Sequence, residues 1–355
     1  MLERTRATID LEAIVSNWKV LDDLSGAAQT AAVVKANAYG HGAPEVSSRL
    51  SRAGCTSFFT ATVNEALVVR KTLGADPSVY VFNGAMGDDL AAAAANNLTP
   101  VINSLSQLQA WRASILSSSQ AVVLHIDTGM NRLGISAQDI AEAKALLTDI
   151  SVSMVMSHFA CADEPDHPMN DEQRRRFDEI TKEWPGATRS LSNSAGLGLL
   201  DCAYDLVRPG IALYGGGAPL PTGSPLQPAM TVEAPILTVF DVPAGANTGY
   251  GATKRFDTPR RLATVGIGYA DGLPRSLSNQ GFAYIGGERC EVVGRISMDL
   301  TTLDVTNVSA EVQPSVAAEF IGRYADLEQQ AAAAGTLGYE LLTGIGPRVE
   351  RVWHG

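Results

Sequence analysis

The stretch Ala31-Ala32-Val33-Val34-Lys35-Ala36-Asn37-Ala38-Tyr39-Gly40-His41-Gly42 changes character at its lysine. Ala31 to Val34 is continuous in apolar residues rather than alternating, the pattern of a strand buried on both faces of a parallel sheet. A lysine at the end of such a strand either caps it and reaches water, or places its amine in a pocket. Desolvation lowers an amine's pKa, and a neutral amine can attack a carbonyl to form a Schiff base. Tyr39 follows four residues later, and Gly40 and Gly42 let the backbone come close to a ligand. Position alone favours the plain strand cap; the rest of the chain reverses the balance.

Outward from this stretch, strand candidates alternate with helical segments. A first helix-like stretch, Leu11 to Leu24, precedes strands expected at Thr30–Lys35, Ser57–Ala61, Ser78–Phe82, Thr99–Asn103, Ala121–Asp127, Val152–Ser157, Thr188–Ser192 and Tyr204–Arg208. Amphipathic segments such as Val63–Leu73, Ser104–Ser117 and Asn170–Trp184 lie between them, and Ala91 to Ala95 reads as helix. Eight strands separated by helices predict an α/β fold, a (β/α)8 TIM-like barrel. After Gly217 the texture changes. Residues 218–225 are rich in Pro, Gly and Ser, as a linker is. Short β-rich runs follow at Ile236–Val242, Arg261–Tyr269, Phe282–Ile285 and Arg289–Val293, with Gly286-Gly287 as a hairpin turn and Ala325 to Ala334 as a helix. The expected division is a barrel over 1–225 and a smaller, mainly β domain over 226–355, with the first strand-like residues available to pair with the second domain.

Composition narrows the function. The 355-residue chain is 45% apolar and 18% charged, an ordinary globular balance. A net charge of -11 argues against nucleic acid or an anionic membrane as partner. No signal peptide is visible in Met1-Leu2-Glu3-Arg4-Thr5, and no apolar run reaches membrane-spanning length. Cys55, Cys161, Cys202 and Cys290 are scattered, without metal or redox spacing, so reduced thiols in the cytoplasm are expected. The histidines do not cluster at ligand spacings, so no metal is expected.

The unusual residues fall at one rim. Active sites of such barrels lie at the carboxyl ends of the strands, and phosphate is commonly held after strands seven and eight. Lys35 ends strand one, Asp127-Thr128-Gly129-Met130-Asn131-Arg132 follows strand five, and Ser157-His158-Phe159-Ala160 ends strand six. Ser192-Asn193-Ser194-Ala195-Gly196 follows strand seven and Arg208-Pro209-Gly210-Ile211 follows strand eight. Ser194 with the amides of Gly210 and Ile211 would form a phosphate cup. Each has a plainer explanation: Ser194 as a helix N-cap, Arg208 paired with Asp205, His158 as a satisfied core histidine. Their joint placement makes the plainer set improbable.

These segments, with Gly249-Tyr250-Gly251-Ala252-Thr253, Gly266-Ile267-Gly268-Tyr269-Ala270-Asp271-Gly272 and Gly294-Arg295-Ile296-Ser297-Met298-Asp299, resemble the alanine racemases, pyridoxal-phosphate enzymes on a barrel fold. The likeness runs from Ile9-Asp10-Leu11 to the carboxyl terminus. It implies that Lys35 carries pyridoxal 5'-phosphate through a Schiff base and serves as one base, while Tyr250 of the partner subunit is the other, on the opposite face of the substrate Cα. It implies that Tyr39, Ser194, Gly210 and Ile211 hold the phosphate, and that Arg208 faces the pyridine nitrogen with His158 and Asn193 beside the cofactor. Arg132 and the partner's Met298 would contact the substrate, and Tyr269, Arg275 and Arg295 would line an entry corridor. A homodimer with shared active sites follows, as does D-alanine supply for peptidoglycan.

The chemistry fits these residue types. A free tyrosine has a pKa of about 10, too high for a base at neutral pH unless a positive field or hydrogen-bond chain acts on it, and His158 between Tyr250 and Arg208 would supply one. A guanidinium cannot give up its proton, so Arg208 would keep the pyridine nitrogen unprotonated, shorten the carbanion's life and favour reprotonation. The flanking glycines of Tyr250 fit a hairpin equally well, so its role rests on the resemblance.

Three positions depart from the family pattern. His125 replaces a lysine that is often carbamylated, which predicts no carbon-dioxide dependence and a less firmly fixed Arg132. Pro347 replaces a phosphate-binding tyrosine, and Ser190 replaces a histidine that supports the Arg208 region. Other classes remain: a broad-specificity or serine racemase, since one hydroxyl is weakly discriminated on steric grounds; a barrel-fold amino-acid decarboxylase, which would favour an acid at the pyridine nitrogen; and a non-catalytic pyridoxal-phosphate carrier, which would resemble the barrel alone.

Overall fold

The computed structural model describes residues 2–114, 121–199, 202–218, 220 and 226–355. The chain forms two compact units. One is Ile14–Leu213 with Gly217–Gln227; the other is Met1–Ala13 with Tyr214–Gly216 and Pro228–Gly355. Of the expected linker, 219 and 221–225 lie outside the described residues, as do 115–117 at the end of the helix expected from Ser104.

The first unit is the parallel barrel. Seven strands follow in chain order: Ala32–Val33, Ser57–Thr60, Ser78–Val81, Thr99–Ile102, Val122–His125, Val152–Met156 and Thr188–Ser190. The eighth, Leu206–Val207, closes the ring. It pairs in parallel with Gln29–Thr30, and the Asp205 and Arg208 amides donate to Arg189 and Ser192 carbonyls at 3.1 and 3.0 Å. Side chains on both faces of these strands are buried, including Phe58, Phe59, Val122, Val123 and Leu124, which is why their apolar runs are unbroken. Helices Leu11–Ser25, Val63–Leu73, Leu105–Arg112 and Pro168–Thr181 occupy the expected segments. Thr62 and Glu65 form a capping box at the second of these.

One expectation needs correction. The first strand does not run on to Lys35. It stops at Val33, and Ala36, Asn37, Ala38 and Tyr39 then take left-handed dihedrals, with φ of 52–54°. Four consecutive non-glycine residues in this region cost on the order of 1–2 kcal/mol each.

The second unit is a closed, mainly antiparallel sheet. Arg260–Val265, Thr301–Asp304, Glu288–Val292, Phe282–Ile285, Ala317–Ile321 and Met230–Val242 pair in that order, and the last pairs back to the first. Arg6–Asp10 adds to Met230–Val242, and Glu350–His354 adds to Arg6–Asp10 in parallel. Gly286 and Gly287, with φ of 59° and 83°, turn the hairpin between Phe282–Ile285 and Glu288–Val292, as a two-residue turn of positive φ requires. Arg261–Tyr269 is a strand only to Val265, and Tyr269 opens a short 3-10 turn.

Candidate functional site

The first unit gathers a set of cations at its strand ends. Lys35 leaves the sheet into the left-handed turn. Glu65 accepts the Ala36 amide at 2.7 Å, and Asn37 Oδ1 accepts the Ala43 amide at 2.9 Å. The Ala38 and Gly40 amides donate to Val34 and Ala36 carbonyls, both at 2.9 Å. These bonds oppose the dihedral cost of the turn. Burial lowers the Lys35 pKa, the nearby Arg132 charge lowers it further, and Glu65 acts the other way. The amine is thereby shifted toward its neutral, nucleophilic form.

The turn delivers Tyr39 to Gly210. A Cβ on Gly210 would stand 2.3 Å from Tyr39 Oη, so only glycine fits beneath that hydroxyl. Ser194 Oγ accepts the Gly210 amide at 2.8 Å and the Ala212 amide at 3.3 Å. Two members of the expected cup thus touch, and the Gly210 amide is engaged by Ser194 rather than open, which leaves the serine's own proton to donate. Ile211, buried, follows in the same loop.

Arg208 is buried and does not pair with Asp205, which binds Arg189 instead. Its guanidinium donates to Ser190 Oγ, to the Ser157 carbonyl at 2.5 Å and to the Leu191 carbonyl at 3.3 Å. Ser190 Oγ in turn donates to the Leu206 carbonyl at 2.6 Å. The small hydroxyl thus takes up the support of Arg208. Burial pushes Arg208 down to about 9, which still leaves a cation near neutrality. Its Nε is buried without a partner. A permanent donor in that position requires an acceptor from outside the protein.

His158 is joined to Asn193, whose Nδ2 lies 3.2 Å from Nε2. Asn193 Oδ1 accepts the Gly196 amide at 2.9 Å, so Nδ2 is the donor and the histidine Nε2 the acceptor. Burial and the charges of Arg208 and Arg132 hold His158 far below its ordinary pKa, so it is neutral. The expected link from His158 to Arg208 is not a hydrogen bond among the described residues; Asn193 takes that place. Gln173, Thr128 and Ser157 fix the backbone and hydroxyls around it, with Gln173 Nε2 donating to the His158 carbonyl at 2.8 Å. Arg132 is exposed on the loop after Val122–His125, and its charge is felt at Lys35, His125 and His158.

The remaining expected residues share one surface of the second unit. Tyr250 lies in a short turn between Asn247–Thr248 and Lys254–Arg255 and is 71% exposed. Gly249 and Gly251, with φ of 74° and 73°, let the Arg295 backbone and guanidinium pack beside it. Ser278 joins Arg275 to this loop, donating to its carbonyl at 2.5 Å and accepting the Ile296 amide at 3.0 Å. The Tyr269 amide donates to Ser297 at 3.1 Å, and the Ala270 amide to Met298 at 3.0 Å. Met298 is 52% exposed. Pro347 is also exposed in this unit.

Glu65, Asn103 and Gln173 escaped the sequence reading, while Thr128 and Ser157 were quoted in the rim segments without a role. Only Glu65 carried a local signal, as the fourth residue of a Thr-x-x-Glu capping box. The others act on residues that the sheet, not the chain, brings near.

The anionic ligand this set would take can be tested against pyridoxal phosphate. The cup of Tyr39, Ser194, Gly210 and Ile211 suits a phosphate, the depressed Lys35 amine suits an aldehyde, and the unpartnered Arg208 Nε suits a ring nitrogen that must accept. The residues present therefore fit the group. No cluster of His, Cys, Asp and Glu that could hold a metal occurs among the described residues.

Comparison with known proteins gives the same direction. The alanine racemase N-terminal domain family matches residues 9–218, and the alanine racemase C-terminal domain family matches 229–353. An alanine racemase of Rhizobium meliloti is 41% identical over 99% of this chain and 97% of its own. A catabolic alanine racemase of Agrobacterium fabrum is 42% identical over 97% of this chain and 90% of its own. The crystal structure of alanine racemase from Bartonella henselae with covalently bound pyridoxal phosphate superposes with a TM-score of 0.94 at 33% identity, covering 99% of this chain and all of that one.

Proposed function

The chain belongs to the alanine racemase family, whose members are isomerases, and from that premise we propose that it interconverts L- and D-alanine by a two-base mechanism on pyridoxal 5'-phosphate. The observations that carry this reading are the Lys35 amine at the end of the first barrel strand, its pKa depressed by burial and by Arg132, and the buried, unpartnered Arg208 Nε at the end of the eighth. When bound, pyridoxal phosphate supplies the electron sink that makes the Cα proton removable.

The chain's own residues do the rest. Lys35 Nζ binds the cofactor and moves a proton at Cα on one face. Tyr250 of the partner subunit holds or takes the proton on the other face, so the 226–355 domain completes a neighbour's site in a homodimer. Ser194, Tyr39, Gly210 and Ile211 bind the phosphate, and Asn193 holds His158 neutral beside the cofactor. Arg208 would keep its protons and hold the ring nitrogen as a donor, disfavouring protonation there and so favouring proton return over side reactions. Arg132 and the partner's Met298 orient the alanine carboxylate and limit side-chain size, while Tyr269, Arg275 and Arg295 line the approach. The four thiols, none in a disulfide, suit the cytoplasm. D-alanine for peptidoglycan is the role proposed; catabolic use of D-alanine is the second reading, favoured by the name of the Agrobacterium relative.

Incubation with L-alanine in deuterated water tests the scheme. Both enantiomers and Cα deuterium should accumulate with the intact protein. Lys35→Ala should abolish exchange, and Tyr250→Phe should chiefly impair proton removal from the L enantiomer. Unchanged racemisation by the phenylalanine variant would eliminate the two-base scheme.

A further inference from the structure

Three loops of the second unit meet at Asp271, and the mechanism above makes no use of their junction. They are residues 268–272, which carry Tyr269, residues 297–300, which carry Met298, and residues 344–348. They are pressed together closely enough to exclude a side chain at two contacts. A Cβ on Gly268 would stand 2.4 Å from the Ser297 and Met298 carbonyl oxygens, and one on Gly272 would stand 2.2 Å from that of Gly344. Asp271 is buried between them. Its Oδ2 accepts the Gly268 amide at 2.9 Å, and its carbonyl accepts the Gly346 amide at 2.9 Å. A buried carboxylate needs a counter-charge. Among the described residues the cation paired with Asp271 is Arg348, whose Nε lies 3.1 Å from Oδ1.

Arg348 also reaches the Met298 loop. Its Nη1 donates to Asp299 Oδ1 at 2.8 Å. Met298 and Asp299 form the tip of a tight turn: the Ser297 amide donates to the Leu300 carbonyl at 3.0 Å, and Ser297 Oγ accepts the Leu300 amide at 3.1 Å. The Ala270 amide holds the Met298 side of this tip, and the guanidinium holds the Asp299 side. An exposed ion pair such as Arg348–Asp299 stabilises little by itself. A guanidinium is a rigid planar fork, however, so seating Nε on a buried acceptor also fixes where Nη1 points. The pair therefore locates the tip relative to the interior.

We propose that Arg348 is a positioning residue that, seated on Asp271 and reaching Asp299, holds the Met298 tip in place and so sets how large a substrate side chain the neighbouring protomer's site accepts. The inference rests on the racemase reading, in which Met298 limits side-chain size. Arg348 acts through the turn, not by contact with the substrate.

The test compares L-alanine with L-2-aminobutyrate, which is alanine with one further methyl, by Cα exchange in deuterated water with the holoenzyme. One methylene is worth about 10–200-fold in a hydrophobic pocket. Releasing the tip in Arg348→Ala should lower the alanine-to-aminobutyrate ratio of kcat/KM by about tenfold. Asp299→Ala should lower it by the same factor. It leaves the buried Asp271–Arg348 pair intact, so it tests the same link if the arginine variant fails to fold. The double variant should show no further fall, since both changes break one contact. Asp299→Asn keeps an acceptor oxygen and should restore most of the ratio. Amide hydrogen exchange reads the turn without activity. The Tyr269, Ala270 and Leu300 amides, whose acceptors lie in residues 297–300, should exchange about fivefold faster in both alanine variants.

A ratio unchanged in either alanine variant overturns the proposal, even where kcat/KM falls equally for the two substrates, because a merely structural pair would give that result. Factors that multiply in the double variant overturn it too, as does unchanged exchange at those amides. Absence of racemisation by the unaltered protein would instead sink the functional reading, while the exchange measurement would still decide whether Arg348 holds the turn.

Discussion

Glu65 Oε1 accepts the Ala36 amide at 2.7 Å, so the carboxylate that closes the capping box of helix Val63–Leu73 also holds the first residue of the left-handed turn behind Lys35. Its other oxygen accepts the Ala61 amide at 2.8 Å. Glu65→Ala removes the anchor and the reciprocal half of the capping box together, while the Thr62 hydroxyl still accepts the amide of residue 65, and each lost bond is worth about 1 kcal/mol. We expect a total of about 2 kcal/mol in urea denaturation, and a further fall of the Lys35 pKa once the one carboxylate that raises it is gone. Glu65→Gln keeps one acceptor oxygen and sets its NH2 against the other backbone N–H, so it should recover only part of the stability. An unaltered denaturation midpoint in the alanine variant would show that the turn holds itself.

Gly210→Ala should weaken cofactor binding by at least about tenfold, as overpacking costs roughly 1–3 kcal/mol. The new methyl meets Tyr39 Oη at 2.3 Å and Cζ at 3.0 Å. Adding Tyr39→Phe removes the nearer atom, so the double variant should bind better than Gly210→Ala alone. Equilibrium dialysis against pyridoxal phosphate reads this directly. A double variant worse than either single change by their full sum would mean that the two sites do not interact.

Ser190→Ala strips the hydroxyl that accepts from Arg208 and donates to Leu206. A buried donor left without its acceptor costs about 1–3 kcal/mol, more where it is charged. The thermal midpoint should fall, and racemase activity should fall with it because Arg208 loses its bearing on the site. Ser190→Thr keeps the hydroxyl and should keep part of the activity. Equal midpoints for the alanine variant and the unaltered protein would contradict this account of Arg208.

Stability should fall as the pH drops from about 6.5 toward 4. Burial holds His125 down to about 4 and His158 well below its ordinary value. The unfolded chain therefore binds these protons first, and protonation favours unfolding across that window. For His125 alone the loss by pH 4 is on the order of 3 kcal/mol. Above pH 7 both rings are neutral in either state and contribute no slope. Urea denaturation from pH 7.5 to 4.5 should show the decline, and His125→Gln, which cannot titrate, should flatten it. A slope identical in the two proteins would show that His125 does not carry this share.

Much of the barrel was legible because its strands are buried on both faces, and burial writes itself as unbroken apolar runs such as Val122-Val123-Leu124. The rim residues could be named because strand ends are where such barrels place chemistry. The left-handed turn from Ala36 to Tyr39 was not legible, since its local preference runs against its structure and bonds from Glu65 help to hold it. The second unit was harder to read than the first. Arg6–Asp10 pairs with Met230–Val242 and with Glu350–His354, partners more than two hundred residues away that no local pattern announces.

The amino-acid sequence by itself determined the alternation of strand and helix, the lysine at the first strand's end and the likeness to a racemase, because each is written in neighbouring residues and their order. Only the tertiary structure decided which protons sit where. The Asn103 bonded to the His125 ring, the Ser190 that braces Arg208 and the Tyr39 hydroxyl over Gly210 are contacts between strands and loops 18 to 171 residues apart. Hydrogen-bond direction and close packing depend on distance in space, and the chain order does not carry that distance.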